Sequence, residues 1–316
     1  GERLFPLTRD TAKPAVTFGG IYKIIDFTLS NCINSGIRQI YVLTQYGSFS
    51  LDHHLRMAWE VVNPEMGEYI YSIPPQQVTV NRWYRGTADS IYQNISILQN
   101  ERPEYVLILS GDHVYKMNYM EMVHWLVAKN ADVVVGALDI PIEEASRFGV
   151  MSVDEELRVT EFNEKPASPT PIPGDPSKAF ASMGIYLFRT NSLREELIAD
   201  AAEGTAHDFG KNIIPQMMQI DRVYAYNFKD ENKKEAKYWR DVGTIRRATA
   251  GAADLDPASN FDPSADGDAA PAPRPSMTWV TAACSAVVSL AWTSCSIVVL
   301  TSGALGSATR LSRIRR

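Results

Sequence analysis

The chain has little of several things. Its three cysteines, Cys32, Cys284 and Cys295, are too few and too scattered for a disulfide framework or a CxxC metal site. It has no surplus of basic charge: a net −6 argues against a nucleic-acid binder, which would normally show a basic face. No secretory leader pattern stands at the start, and with so few cysteines a reducing, cytoplasmic setting is expected. Beyond Ile245 five residue types (Lys, Glu, Gln, His and Tyr) vanish altogether.

That loss divides the 316 residues into two kinds of text. Residues 1–245 alternate helical patterns with short apolar runs, which predicts an α/β domain on a largely parallel sheet. Candidate strands are Gln39–Thr44, Val106–Ser110, Ala131–Leu138, Phe180–Phe188 and Val223–Phe228. Candidate helices are Ile24–Ser35, Asp89–Gln99, Tyr119–Lys129, Ser192–Ala202 and Gly210–Gln219, and the Pro-rich stretch Ala167–Pro176 reads as a loop between strands. Residues 246–275 read as a low-complexity linker. Residues 276–316 form an uncharged tail with a basic end, long enough to span a membrane but only modestly hydrophobic, being rich in Ser, Thr, Ala and Gly. A shifted reading frame is the favoured explanation of this tail over an anchor. It is expected to make few contacts with residues 1–245.

Several motifs carry chemistry. Arg3 and Lys13 flank a Pro-Leu-Thr turn and suit a loop wrapping a polyphosphate, where two fixed cations face the reacting phosphate. The run Val106–Ser110 reads as a strand buried on both faces, and it ends in Gly111-Asp112-His113. A carboxylate beyond the carboxyl end of such a strand is well sited for a hard cation such as Mg²⁺. Asp241, in Tyr238-Trp239-Arg240-Asp241-Val242-Gly243-Thr244, is a second candidate carboxylate. In Asn81-Arg82-Trp83-Tyr84-Arg85-Gly86-Thr87-Ala88-Asp89, Thr87 or Asp89 can cap the following helix, or Gly86 can admit a base close to the backbone. Lys165, after Glu164 and before Pro166, is a point charge suited to a second phosphate. Ser182, Tyr186, Asp208 and Phe209 supply groups of the kind that bind sugars, whereas Met183, Ile185 and Cys32 read as packing. His53 and His54 receive no role.

In this order the segments resemble the sugar nucleotidyltransferases, and among them the bacterial ADP-glucose pyrophosphorylases. The likeness covers residues 1–245, most specifically Ser30-Asn31-Cys32-Ile33-Asn34-Ser35-Gly36-Ile37, Gly111-Asp112-His113 and Tyr238-Trp239-Arg240-Asp241-Val242-Gly243-Thr244. It implies a Rossmann-like, GT-A-like domain on a mostly parallel mixed sheet. It also implies adenylyl transfer from ATP to glucose 1-phosphate with Mg²⁺, in regulated homotetramers carrying a C-terminal left-handed β-helix. By the resemblance Gly1, Arg3, Lys13, Gln45, Gly86 and Thr87 serve the nucleotide, and Arg3, Lys13 and Asp112 are catalytic. Tyr84, Glu164, Lys165, Ser182, Tyr186, Asp208, Phe209 and Trp239 serve the sugar phosphate, and Asp112 and Asp241 the metal. The sequence departs from the pattern in lacking the family's first strand, most of its glycine-rich loop and any hexapeptide repeat after residue 245. Asp10 stands where some members place an activator-binding lysine. A related enzyme using UTP, dTTP or GTP and a non-catalytic regulatory subunit are the alternatives.

Overall fold

The computed structural model describes residues 4–45, 47–75, 83–228, 239–242 and 296–301, with the backbone alone for 240, 241 and 296–301. Gly1, Arg3 and the whole of 246–275 lie outside the described residues, as does most of the tail.

A 3-10 turn, Lys13–Ala15, precedes a short hairpin, β1 (Thr17–Phe18) and β2 (Tyr22–Lys23). Then come α1 (Ile24–Asn34), β3 (Gln39–Leu43), α2 (Ser48–Ala58) and β4 (Tyr69–Ile73). Next are α3 (Thr87–Tyr92), α4 (Ile95–Glu101), β5 (Tyr105–Ser110), β6 (His113–Tyr115) and α5 (Tyr119–Ala128). The chain continues through β7 (Val133–Pro141), α6 (Ile142–Ala145), β8 (Gly149–Val153), β9 (Val159–Glu164), β10 (Lys178–Arg189) and α7 (Thr190–Ala201). A π turn, Phe209–Ile213, leads into α8 (Ile214–Ile220), followed by β11 (Val223–Asn227), β12 (Trp239–Asp241) and β13 (Ser296–Thr301).

The main sheet runs in the order β11-β7-β10-β5-β13-β3-β4, with β8 and β9 attached at β10. Register fixes the directions: β3, β4, β5, β7 and β11 run one way, and β10 and β13 run against them. The sheet is therefore mixed, with most strands of its main path pointing in one direction. Alternate residues of each strand feed opposite faces, as pleating requires. On β5, Tyr105, Leu107 and Leu109 join a core with α1, α2 and α5, while Val106 and Ile108 join a core with α3, α7 and α8. A third cluster holds Leu4, Val16, Phe18, Ile24, Phe27, Val114 and Val242.

Three expectations are corrected. The helix over Asp89–Gln99 is two helices, because the Asn94 side chain turns back to donate to the Ser90 carbonyl at 2.8 Å and to the Tyr84 hydroxyl at 3.0 Å. The helix over Gly210–Gln219 opens with a π turn; Pro215 has no N–H for the carbonyl four residues back, and the turn widens there. The tail does contact the domain: β13 pairs antiparallel with both β3 and β5, from Ser296 opposite Leu43 and Ser110 to Leu300 opposite Gln39 and Val106. Among the described residues no helix is long and apolar enough to cross a membrane.

The buried face of α7 carries two acids, Glu196 and Asp200, one helical turn apart. Burial, and then the charges of Asp200, Asp221 and Glu203, push the Glu196 carboxyl up to about 7. The folded protein thus holds that proton more tightly than the unfolded chain. The stabilisation is full below the ordinary glutamate value and is lost as pH rises through about 7. Thermal midpoints should fall between pH 5 and pH 8, and Glu196→Gln should flatten the fall; an unchanged slope in the variant would contradict the assignment.

Candidate active site

The site is built where β5 ends. Ser110 closes the strand, and the chain turns through Gly111 and Asp112 into β6. One face of α1 fixes that turn. The Thr28 hydroxyl donates to the carbonyls of Ser110 and His113 at 3.3 Å each, and Asn31 donates to the Tyr115 carbonyl at 2.8 Å while accepting from the Met117 N–H at 3.2 Å. Ser35 accepts from the Tyr119 N–H at 2.9 Å. Spacings of three and four residues place these side chains in one row, so a single rigid helix holds the backbone on which Asp112 rides.

Asp112 is buried and paired. Its Oδ2 accepts from Lys13 Nζ at 2.7 Å, both side chains being only 10% exposed, and its Oδ1 accepts from the Ser110 hydroxyl. Burial alone would raise the Asp112 pKa. The Lys13 charge and the hydrogen bonds from Lys13 and Ser110 outweigh it and hold the carboxyl well below the usual carboxylate range. His113 stands beside it, Nε2 at 3.7 Å from Asp112 Oδ1, and burial lowers its pKa. Strand β12 pairs antiparallel with β6 so that Asp241 lies opposite His113 in the register. Leu4, next to Arg3, and Val242, next to Asp241, share the third cluster with Val114.

A line of contacts leads from here to the second group. The Trp239 ring meets His113 edge-on at 5.6 Å and Phe148 at 5.6 Å, and the Phe148 carbonyl accepts from the Lys165 N–H at 3.0 Å. Lys165, at φ 53°, pairs with Glu164. A Cβ on Gly210 would lie 3.1 Å from Glu164 Oε2 and 3.6 Å from Asp208 Oδ1, so Glu164 adjoins the Asp208 segment. Ser182 accepts from the Gly184 N–H at 3.2 Å in the bulge of β10, where Gly184 takes φ 67° with its face toward the His113 ring.

The expected nucleotide residues assemble differently from their motif reading. Gln45 Oε1 accepts from the Tyr84 N–H at 2.9 Å, anchoring the segment before α3. Neither Thr87 nor Asp89 caps α3; the N-cap is Gly86. Thr87 instead donates to Asp208 Oδ2 at 3.3 Å and accepts from the Phe209 N–H at 3.0 Å. Gly86 is glycine because of protein, since a Cβ there would lie 1.9 Å from the His207 carbonyl oxygen. Phe209 is 2% exposed and stacks on Tyr186 at 5.5 Å, so its ring packs the core and cannot cover a sugar. Met183, Ile185 and Cys32 are buried as expected. His54, given no role from sequence, pairs with Asp26 at 2.5 Å and so braces the start of α1. The sequence reading missed Thr28, Asn31 and Ser35 as supports; their spacing of three and four residues, which puts them in one row along α1 and its C-cap, was the available signal.

Residues 1–256 match the profile of the nucleotidyl transferase family. The chain belongs to that family. Curated relatives named glucose-1-phosphate adenylyltransferase include one from Rhodopirellula baltica, 55% identical over 247 residues, covering 78% of this chain and 55% of the relative. A second, from Alkalilimnicola ehrlichii, is 55% identical over 245 residues, covering 78% and 58%, and one from Koribacter versatilis is 54% identical over 249 residues, covering 78% and 60%. The chain spans less than two thirds of the length of these relatives. Nucleotidyl transferases generally work with a divalent metal. Among the described residues no cluster of three or more His, Cys, Asp or Glu side chains surrounds a metal position.

The crowding at Gly86 gives a direct test. Gly86→Ala should cost at least about 1–3 kcal/mol of stability, the scale of overpacking. Gly204→Ala, where a Cβ meets nothing within 4 Å, should be nearly neutral in the same denaturant titration. Equal midpoints for the two variants would refute the close approach.

Proposed function

We propose that the chain transfers an adenylyl group from ATP to α-D-glucose 1-phosphate, giving ADP-glucose and pyrophosphate for glycogen or starch synthesis in the cytoplasm. The observation that carries this reading is the buried Lys13–Asp112 pair at the end of β5, with Asp241 registered beside it. The relatives' shared name supports the choice of substrates.

The reaction is an in-line displacement. A phosphate oxygen of the sugar phosphate forms a bond to the α-phosphorus of ATP as the bond to the pyrophosphate oxygen breaks. The nucleophile is already anionic, so no general base is required, and catalysis rests on positioning and charge neutralisation. Lys13, with Arg3, neutralises the triphosphate. Gln45, Gly86 and Thr87 shape the nucleotide side, with Gln45 and Thr87 acting through the backbone segments they hold. Tyr84, Glu164, Lys165, Ser182, Tyr186, Asp208 and Trp239 form the sugar-phosphate side, and Lys165 supplies the point charge for its phosphate.

Mg²⁺ suits this donor set. It is commonly held by one or two carboxylates, with water and substrate phosphates completing the shell, so three protein ligands are not needed. Asp112, kept ionised by Lys13, and Asp241 would hold it. Bound there, the ion would supply Lewis-acid neutralisation of phosphate charge.

Asp112→Asn or Asp241→Asn should lower kcat by on the order of 10²–10⁴ with folding largely kept. Near-normal turnover of both at saturating Mg²⁺ would exclude the metal assignment. Lys165→Ala should mainly raise KM for glucose 1-phosphate and leave that for ATP nearly unchanged, because its ion pair forms already in the ground state. A parallel rise in both would instead show general collapse. Assay with ATP, UTP, dTTP and GTP in turn, analysing the sugar nucleotide formed, decides the nucleotide; a dominant product other than ADP-glucose contradicts the proposal.

A further inference from the structure

His207 has no place in the chemistry above, yet it is held more firmly than an ordinary core histidine. It is 1% exposed and its backbone sits at φ 52°, a left-handed conformation that a non-glycine residue keeps only where its surroundings compensate. The compensation is visible. Its Nδ1 lies 2.6 Å from Asp200 Oδ2, and its own N–H donates to the Thr205 hydroxyl at 3.0 Å. That hydroxyl donates to Asp200 Oδ1 at 2.6 Å. The side chain is thereby tied to the last turn of α7, and the direction of the His207 carbonyl is set.

That carbonyl faces α3. It accepts from the Ala88 N–H at 2.8 Å, one of the N-terminal donors that a helix cannot satisfy itself and that Gly86, as N-cap, has no side chain to reach. It is also the atom against which Gly86 is fitted. The next residue, Asp208, receives the Thr87 hydroxyl on Oδ2 and caps the π turn through Oδ1, at 3.1 Å from the N–H groups of both Gly210 and Lys211. Two consecutive residues thus bind the Gly86–Ala88 turn on one side and the Asp208 segment on the other.

We propose that Asp200 and His207 are positioning residues that hold the nucleotide side of the site, at Gly86–Thr87, in fixed relation to the sugar side, at Asp208. The inference rests on the proposed function for the identity of the two sides, but the coupling itself can be measured without any ligand.

The test compares His207→Asn with His207→Gln. The asparagine amide nitrogen takes the place of Nδ1 and can still donate to Asp200, whereas that of glutamine takes the place of Nε2, away from it. Amide hydrogen exchange at Ala88 should stay protected in His207→Asn and be lost in His207→Gln. Calorimetry with ATP and with glucose 1-phosphate, each with Mg²⁺, should show both affinities falling together in His207→Gln, by about five- to a hundredfold, the usual scale of coupling between sites. His207→Asn should stay close to the parent chain. Arg222→Met, which breaks the Asp132–Arg222 pair on another part of the sheet, controls for loss of stability and should leave both affinities unchanged. Equal Ala88 protection in the two His207 variants, or a glutamine variant that binds both ligands normally, overturns the proposal. If the parent chain binds neither compound, the functional reading fails and the exchange result alone decides the coupling.

Discussion

The site depends on one buried ion pair. A carboxylate taken out of water is costly unless a charge and hydrogen bonds replace its hydration, and Asp112 receives Lys13 on one oxygen and Ser110 on the other. The two partners come from chain positions 99 residues apart, so the pair forms only when the 3-10 turn at Lys13 and the end of β5 are both in place. Helix α1 is the common support. Its Ala15-facing side packs in the same core as β5, while Thr28 and Asn31 bond the backbone of β6 and Ser35 that of the start of α5. Loss of the Lys13 charge would leave the Asp112 carboxylate buried with only the Ser110 hydroxyl to replace its hydration, which is costlier than never having the charge there.

The strand β13 bears on the sheet and the site together. It lies between β3 and β5, the two strands whose ends carry Gln45 and Asp112. Its antiparallel direction puts Ser296 at those ends, while Asp241 pairs beside His113 on the same side. Ile297, Val298, Val299 and Leu300 form a short apolar run of the kind suited to an interior strand.

How much of this was legible in the sequence depended on the range of the interaction. Strand β5 and the aspartate beyond it could be read from the apolar run Val106–Leu109 followed by Ser-Gly-Asp, because hydrophobic burial and a permissive turn are local signals. The buried roles of Met183, Ile185 and Cys32 followed in the same way. Gly86 and Phe209 were harder. Their motifs suggested a space for a base and a ring for a sugar, but the atoms that decide are the His207 carbonyl and the Tyr186 ring, more than twenty residues from Gly86 and Phe209 respectively. The break at Asn94 was hidden because its side chain competes with the helix only when Tyr84 is near enough to accept. In β13 an apolar strand was hidden by the hydroxyl-rich and glycine-rich composition around it, since composition averaged over forty residues conceals a run of four.

The central claim is that Lys13 keeps Asp112 ionised inside the protein. The direct measurement is the carboxyl ¹³C shift of Asp112, followed by NMR from pH 3 to pH 8 in the parent chain and in Lys13→Met. The account predicts a flat, ionised signal in the parent across that range and a titration that moves up into it once Lys13 is replaced. A midpoint inside the range for the parent, or the same curve for both proteins, would contradict it.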